Sequence, residues 1–187
     1  MLQGFIASAL AGFSALQMSH ALRGVSPREG EIALAKLVEK LPLCRVIWGD
    51  DGSPYLLRIY FFRIFRERLP GVFLHYFFRG DYDRALHNHP WVTSASVILS
   101  GGYIEERRMS DGGIRSQAYF PGDLNIISGD TFHRVDLMKG GCWTLFIAGK
   151  RATGWGFSES PDHFEPHEER EERMKRDRAP EEERASS

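Results

Sequence analysis

The chain has 187 residues and carries 24 Lys and Arg against 25 Asp and Glu, a formal net charge of −1. This length suits one domain with appendages, and the balanced charge argues against a nucleic-acid or anionic-membrane partner. The two cysteines, Cys44 and Cys142, lack a paired spacing, and Cys142 lies in an apolar run, so we expect reduced thiols and a cytoplasmic location.

Two helices are predicted ahead of any strand, in an N-terminal extension over residues 1–44. Met1 to Leu22 places apolar side chains at helical spacing and contains no Lys or Arg, which is more typical of a packing helix than of a signal peptide or a membrane-surface helix. Ser26 to Glu29 is a capping box with proline at the first helical position, so a second helix should run to about Leu41, before Pro42. The two helices would cover an open end of a barrel or form a homodimer contact, and the sequence favours neither alternative.

From Arg45 onward the side chains alternate with a period of two, and clusters of Gly, Pro and Asp separate the runs. This pattern predicts antiparallel strands in a sandwich or closed barrel over residues 45–160, rather than strands alternating with helices. The predicted strands are Arg45–Trp48, Tyr55–Phe65, Val72–Phe78, Val92–Leu99, Tyr103–Met109, Ile114–Phe120, Leu124–Ser128, Phe132–Met138 and Cys142–Ala148.

The segment Leu86 to Trp91 carries a pattern typical of metal ligands. If the segment is extended, His87 and His89 project to one side and Asn88 to the other. Two imidazoles on one face are half of a metal site, and His133, which follows a Gly-Asp turn at the start of another strand, is the candidate third ligand. The alternative is that a His-Asn-His sequence before a proline is only part of a loop.

The spacing of these histidines and glycines resembles the two sequence motifs of the cupin superfamily. Gly80, His87, His89 and Gly101-Gly102 resemble the first motif, and the segment from Gly122 to His133 resembles the second. The strings HNHPW, LSGGYIEE, HRV, WTLFIAG and WGF are also similar to those of a group of bacterial and phage cupins, a resemblance that names no substrate. The glutamate usual after the histidine pair is missing. The nearby carboxylates that could replace it are Asp81, Asp83 and Asp130, but each lies in a turn-like stretch where aspartate is favoured for backbone reasons, so none is predicted as a ligand.

The resemblance implies an all-β fold, a single cupin-like antiparallel barrel of the jelly-roll type (a double-stranded β-helix), with a divalent metal held by three histidines. A three-histidine set without a carboxylate is similar to that of the thiol dioxygenases among cupins, which implies Fe(II) and a small-molecule dioxygenase, with Zn, Ni and Mn as other metals. The same ligands would suit Zn²⁺ with a polarised water, for hydrolysis or isomerisation. The alternative function is a metal-stabilised module that binds or senses a small molecule without turnover.

Polar and aromatic side chains on the predicted strands are candidates for substrate contact. The candidates are Tyr103, Arg134 and Trp143, because an arginine can bind a carboxylate and aromatic rings exclude water. Arg134 should nevertheless point away from His133, since consecutive strand residues face opposite sides. His75, which lies among phenylalanines, is either a further site residue or a core histidine.

The composition shifts after the Trp155 region. Pro161 to Ser187 is rich in Glu and Arg and nearly devoid of large apolar residues, so it is expected to be a disordered tail or a solvated helix. In such a tail His163 and His167 are not expected to bind metal. Truncation after Ser160 should then change the melting temperature little.

Overall fold

The computed structural model describes residues 26–49, 51–61, 71–81, 85–152, 154–174 and 176. The helix predicted over Met1 to Leu22 lies outside these residues. Helix α1 spans Pro27–Val38 and begins with the predicted capping box, in which the Ser26 side chain accepts from the Glu29 amide and the Glu29 carboxylate accepts from the Ser26 amide. No helix in these ranges has the length and hydropathy that a membrane span requires.

Twelve strands follow α1 in the described ranges, and every pairing between them is antiparallel. They are β1 (Cys44–Trp48), β2 (Pro54–Tyr60), β3 (Gly71–Phe77), β4 (Leu86–His87), β5 (Thr93–Ser100), β6 (Tyr103–Arg108), β7 (Ile114–Tyr119), β8 (Leu124–Ser128), β9 (His133–Leu137), β10 (Cys142–Ala148), β11 (Gly156–Ser158) and β12 (Glu165–Pro166). The strands predicted from the sequence form with ends within one residue of those expected. For the strand predicted over Tyr55–Phe65, β2 covers Pro54–Tyr60, and residues 62–65 lie outside the described ranges.

The strands build two six-stranded sheets. The first has the order β1-β2-β3-β10-β5-β8 and the second has the order β12-β11-β4-β9-β6-β7. Because strand side chains alternate between faces, one face of each sheet can point toward the other sheet. The ring of Phe77 from the first sheet lies 6.4 Å from that of Tyr103 from the second, so the sheets pack face to face. The fold is therefore mostly β, with two antiparallel sheets, as the sequence predicts.

Two apolar clusters fill the space between the sheets. One contains Ile98, Tyr103, Tyr119, Val135 and Cys142, and the other contains Phe73, Phe146 and Ala148. A third cluster lies on the outer face of the first sheet, where Ala35 and Val38 of α1 pack against Leu57, Leu74 and Tyr76. Helix α1 thus covers the β1–β3 half of this outer face. On the β10-β5-β8 half, the exposed apolar side chains are Leu99, Leu124, Ile126 and Ile147.

The second sheet is extended by strands that the sequence analysis did not predict. Strand β11 pairs with β4, and β12 pairs with β11, after which residues 167–174 are helical. The guanidinium of Arg170 lies 4.2 Å from the centroid of the Phe157 ring, and Glu165 accepts from Arg170 and Arg173. The first part of the predicted tail therefore packs on the sheet. It packs through the Phe157 ring and through paired charges. Such contacts do not require large apolar side chains in the tail, which is why composition alone did not predict them.

Candidate metal centre

Three histidines meet between the sheets, where β4 and β9 lie side by side. His87 pairs with His133 across these strands, and His89 follows His87 by two residues. Ring centroids are 4.8 Å apart for His87 and His133, 4.9 Å for His89 and His133, and 5.3 Å for His87 and His89. One nitrogen of each ring lies within 4.8 Å of the others, an arrangement that could hold a metal ion. The structure thus brings together the three residues selected from the sequence as ligands.

Nitrogens of two of the three rings lie about as close together as two ligands of one ion would be. Nε2 of His89 lies 2.8 Å from Nε2 of His133, and two ligands at right angles on one ion, with bonds of about 2.1 Å, would be about 3 Å apart. Nδ1 of His133 lies 2.6 Å from Oε1 of Glu105, so Nδ1–H donates to the carboxylate and the lone pair of Nε2 points toward the other histidines. A set of neutral imidazole nitrogens suits a divalent transition metal.

Glu105 is a residue of this centre that the sequence analysis missed. It is only 1% exposed, lies on β6, and its Oε2 accepts from Nε of Arg107 at 2.7 Å. Burial acts to raise the pKa of Glu105, but hydrogen bonds from His133 and Arg107 outweigh it, so the pKa is lowered and the carboxylate is charged. Alternation along β6 could have identified it, because Glu105 must share a face with Tyr103.

A second carboxylate, that of Asp81, lies beside His87. Its Oδ2 is 3.9 Å from Nδ1 of His87 and accepts from the Val135 amide at 2.6 Å. Burial lowers the pKa of His87 to about 4, although the charge of Asp81 acts to raise it. Burial, followed by the neighbouring histidines, also lowers the pKa of His89. Both rings are therefore neutral at neutral pH, the form in which imidazole binds metal.

Asn88 points away from the three rings, as predicted, but it is 8% exposed and fully engaged. Its Nδ2 donates to the Gly129 carbonyl at 3.1 Å, and its Oδ1 accepts from the Gly156 amide at 2.9 Å. Its own amide donates to the Gly156 carbonyl at 3.2 Å. Asn88 therefore connects the segment that carries His87 and His89 to β11 and to the turn that precedes His133.

Aromatic rings pack around His89 on the side of the first sheet. The centroid of the His89 ring lies 5.6 Å from that of Trp91 and 5.9 Å from that of Phe146. His75, which is 3% exposed, stacks on the other side of this group at 5.0 Å from Phe146. Arg58 donates from Nε to Nε2 of His75 at 3.0 Å, so His75 is satisfied by a protein group. His75 is a neighbour of the centre and does not belong to the group of three.

The remaining substrate candidates lie in three different environments. Tyr103 is buried between the sheets, where its hydroxyl accepts from Nδ2 of Asn125. Arg134 projects from the opposite face of β9 and donates from Nε to Glu106 at 2.6 Å, in the direction that alternation predicts. Trp143 lies on the outer face of the first sheet, 4.8 Å from Tyr76 in the cluster beneath α1. The register of β10 on β3 turns the Trp143 ring toward the helix. Trp143 therefore does not face the three histidines, in contrast to its selection as a candidate for substrate contact.

No protein-family model and no curated protein sequence matches this chain. Among solved structures it is similar to Fe(II) HppE, with 12% identity over 58% of this chain and 58% of that chain and a TM-score of 0.46. It is also similar to hydroxypropylphosphonic acid epoxidase from S. wedmorenis, with 10% identity over 56% of this chain and 55% of that chain and a TM-score of 0.45. A third likeness is to oxalate decarboxylase of Bacillus subtilis, with its Mn(II) centers, at 18% identity over 54% of this chain and 26% of that chain and a TM-score of 0.43.

The chain thus spans little more than half the length of the first two of these structures and about a quarter of the third. At such identities and TM-scores the likenesses carry no argument about function. The case for a metal centre rests on the geometry of this chain's own histidines.

Proposed function

We propose that His87, His89 and His133 bind one divalent transition metal and that the protein is a cupin-like metalloenzyme acting on a small molecule. The observation that carries the proposal is the convergence of three imidazoles, with the Nδ1–H of His133 donating to the buried carboxylate of Glu105. Fe(II) is the favoured ion and dioxygenation the favoured reaction, with Zn, Ni and Mn as competing ions. Both cysteines are free, which is consistent with the reducing cytoplasm as the location.

The residues present fit such an ion and leave room in its coordination for a substrate. Three protein ligands are fewer than a first-row ion accepts, and open positions are the mark of catalytic centres. When bound, Fe(II) would supply the one-electron chemistry that dioxygen requires. Glu105 would fix the ring of His133, and Trp91 and Phe146 would keep water from His89.

A second candidate function is a metal-stabilised binding module without turnover. It is favoured by the burial of His133 and by the aromatic rings packed around His89, since a tightly packed centre also suits a structural ion. In such a protein the ion would contribute to folding free energy and the ligand would be held without chemistry.

Metal analysis of the purified protein, combined with histidine variants, tests the proposal. We expect one ion per chain, loss of tight binding in His87→Ala, His89→Ala and His133→Ala, and full occupancy in His163→Ala, whose ring is exposed. The melting temperature of the three ligand variants should no longer rise with added metal. Full occupancy in His133→Ala would overturn the proposed centre.

Oxygen consumption separates the two candidate functions. The Fe(II)-loaded protein should consume oxygen with at least one compound from a panel of small thiols and carboxylic acids, and His133→Ala should not. Tight metal binding without oxygen consumption or any conversion of the panel compounds would favour the binding module.

A further inference from the structure

The outer face of the first sheet is covered by α1 on one half, over β1, β2 and β3. The other half, formed by β10, β5 and β8, presents two rows of apolar side chains. Residues in register on neighbouring strands share a face. The rows consist of Leu145, Val97 and Leu124 in one and Ile147, Ala95 and Ile126 in the other. We call this surface, together with Leu99, the open face.

The open face is apolar, exposed and uncharged. Leu99 is 49% exposed, Leu124 55% and Ile126 57%. Strands β5, β8 and β10 contain no charged residue in the described ranges. Single exposed apolar side chains are ordinary, but a contiguous group of them marks an interaction surface. The lack of charge favours an occupant that is itself apolar and uncharged.

The direction of α1 brings the preceding chain to the open face. At the end of the helix, Glu39 accepts from Nε1 of Trp48, the last residue of β1, at 3.2 Å. At its start, Arg28 donates to Asp51 at 3.0 Å, and Asp51 also accepts from Arg79, two residues after β3. Helix α1 therefore runs from β3 toward β1, and the chain before it enters from the side of β10.

Two further observations place the first half of α1 beside β10. Burial raises the pKa of Tyr76 on β3, and the charge of Glu31, the fifth residue of α1, raises this pKa further, so Glu31 lies near Tyr76. The Tyr76 ring lies 4.8 Å from the ring of Trp143 on β10, at the border of the open face. The described chain thus begins at the end of α1 that borders the open face.

The segment Met1 to Leu22 has the composition and the length that the open face requires. It contains no Asp, Glu, Lys or Arg, and its larger apolar residues recur at the spacing of one side of a helix. These residues are Leu2, Phe5, Ile6, Ala9, Leu10, Phe13 and Leu16. A helix is about 10 Å wide, and three strands span about 10 Å. The four steps from Leu22 to Ser26 reach about 14 Å, far enough to cross from α1 to this half of the sheet.

We propose that Met1 to Leu22 forms a helix whose apolar side packs on the open face of the same chain. This segment and α1 then cover the outer face of the first sheet together. A membrane-surface helix would carry a basic polar face, which this segment lacks. A segment tethered by a short linker meets the face at an effective concentration of about millimolar, which favours it over a second copy. The metal centre plays no part in this packing.

Photo-crosslinking in the full-length protein tests the proposal. Ile126 is replaced by p-benzoylphenylalanine, unlabelled and ¹⁵N-labelled proteins are mixed and equilibrated, and mass spectrometry locates the crosslinked peptides. We expect crosslinks from position 126 to residues 1–22 within chains of one isotope content. Ile114, which is 53% exposed on β7 of the second sheet, is the matched position and should give no crosslink to residues 1–22. Leu124 serves as the reactive position if the Ile126 variant does not fold.

Thermal unfolding measures the coupling between segment and face. Phe13→Ser and Ile126→Ser should each lower the melting temperature by about 2–6 °C. The double variant should lose clearly less than the sum of the two losses, because each change weakens the same interface. Phe13→Ser combined with Ile114→Ser is the control pair, and its losses should add.

The outcomes distinguish the occupants of the open face. Crosslinks between unlabelled and labelled chains would overturn the proposal, because the face would then join two copies of the protein. Crosslinks from position 126 that never reach residues 1–22, or no crosslinks at all, would overturn it as well. Additive losses of melting temperature for Phe13→Ser and Ile126→Ser would show that the segment and the open face are not in contact.

Discussion

A single carboxylate determines which nitrogen of His133 faces the other two histidines. Glu105 accepts from Nδ1 of His133 and is itself held by Arg107, so the ring has one preferred tautomer and one orientation. From the resemblance to cupins we would expect a glutamate just after His89, but the sequence has none there. The carboxylate instead comes from a different strand, β6, and acts on the third histidine.

Replacement of Glu105 should weaken metal binding without removing a ligand. We expect Glu105→Gln to lower the metal affinity by about 10–100-fold, because the amide is a weaker acceptor for the Nδ1–H of His133. Competition with a chelator of known affinity measures the change. Glu106→Gln is the matched control, since Glu106 is the next residue and pairs with Arg134 outside the sheets. Equal affinities for the two variants would contradict this role of Glu105.

His75 should make the folded state sensitive to acid. Burial, and then the charge of Arg58, lowers the pKa of His75 well below its value of about 6.5 in an unfolded chain. Between these two pKa values the unfolded chain binds a proton that the folded chain does not, so the free energy of unfolding falls as pH decreases below about 6.5. The contribution of this one group is at most about 1.4 kcal/mol per pH unit.

The variant that tests this effect is His75→Gln, whose amide oxygen still accepts from Arg58. Urea unfolding with a chelator present should give a shallower dependence of the free energy of unfolding on pH for His75→Gln than for the wild type between pH 7 and pH 5. Identical slopes would mean that His75 binds protons equally in the folded and unfolded chains, which would contradict the prediction.

At the level of elements, the short strand β4 depends on its neighbours for its position. It has only two residues, and Asn88, which follows it, bonds to both Gly129 and Gly156. Alternation correctly predicts that Asn88 faces away from the three histidines. It does not reveal that the opposite side is also buried, because β11 was not predicted.

Asn88→Ala should therefore lower both the stability of the fold and the affinity of the three histidines for metal. Loss of the two side-chain hydrogen bonds should lower the free energy of unfolding by about 1–3 kcal/mol, and metal affinity should fall because His87 and His89 lose their fixed spacing to His133. Asn88→Asp retains the acceptor for Gly156 and loses the donor to Gly129, so an intermediate effect is expected. Calorimetric titration and urea unfolding measure the two quantities, and an unchanged metal affinity in Asn88→Ala would contradict the coupling.

Local patterns in this sequence predict strands well and contacts between strands poorly. The alternation in Leu124–Ser128 and Cys142–Ala148 gives the strand ends as observed, because turn residues and period are local properties. Trp143 and Arg58 illustrate what local patterns do not predict, which is the face of a strand that points into the protein. Which face of β10 or β2 looks inward depends on pairing with β3, which is distant in sequence, and on the position of α1.

For the whole molecule, the first part of the charged segment after Ser160 adds to the second sheet, because β12 (Glu165–Pro166) pairs with β11. We now expect truncation after Ser160 to lower the melting temperature by about 2–8 °C, because it removes β12 and the contacts of Arg170, worth about 1–2 kcal/mol. Truncation after Arg176 keeps these contacts and is the matched control. Thermal unfolding measures both, and equal melting temperatures for the Ser160 truncation and the full chain would restore the sequence-based expectation of a free tail.

The position of β10 has a consequence for how the protein is made. This strand, residues Cys142–Ala148, lies between β3 and β5, which precede it by dozens of residues. On the ribosome, β3 and β5 emerge long before the strand that joins them, and β4 emerges long before its partner β11. The chain must therefore be synthesised at least through Ser158 before the strands that surround the three histidines can pair. If the three histidines bind metal as proposed, binding should follow the synthesis of β10, and nascent chains stalled before Cys142 should not retain metal.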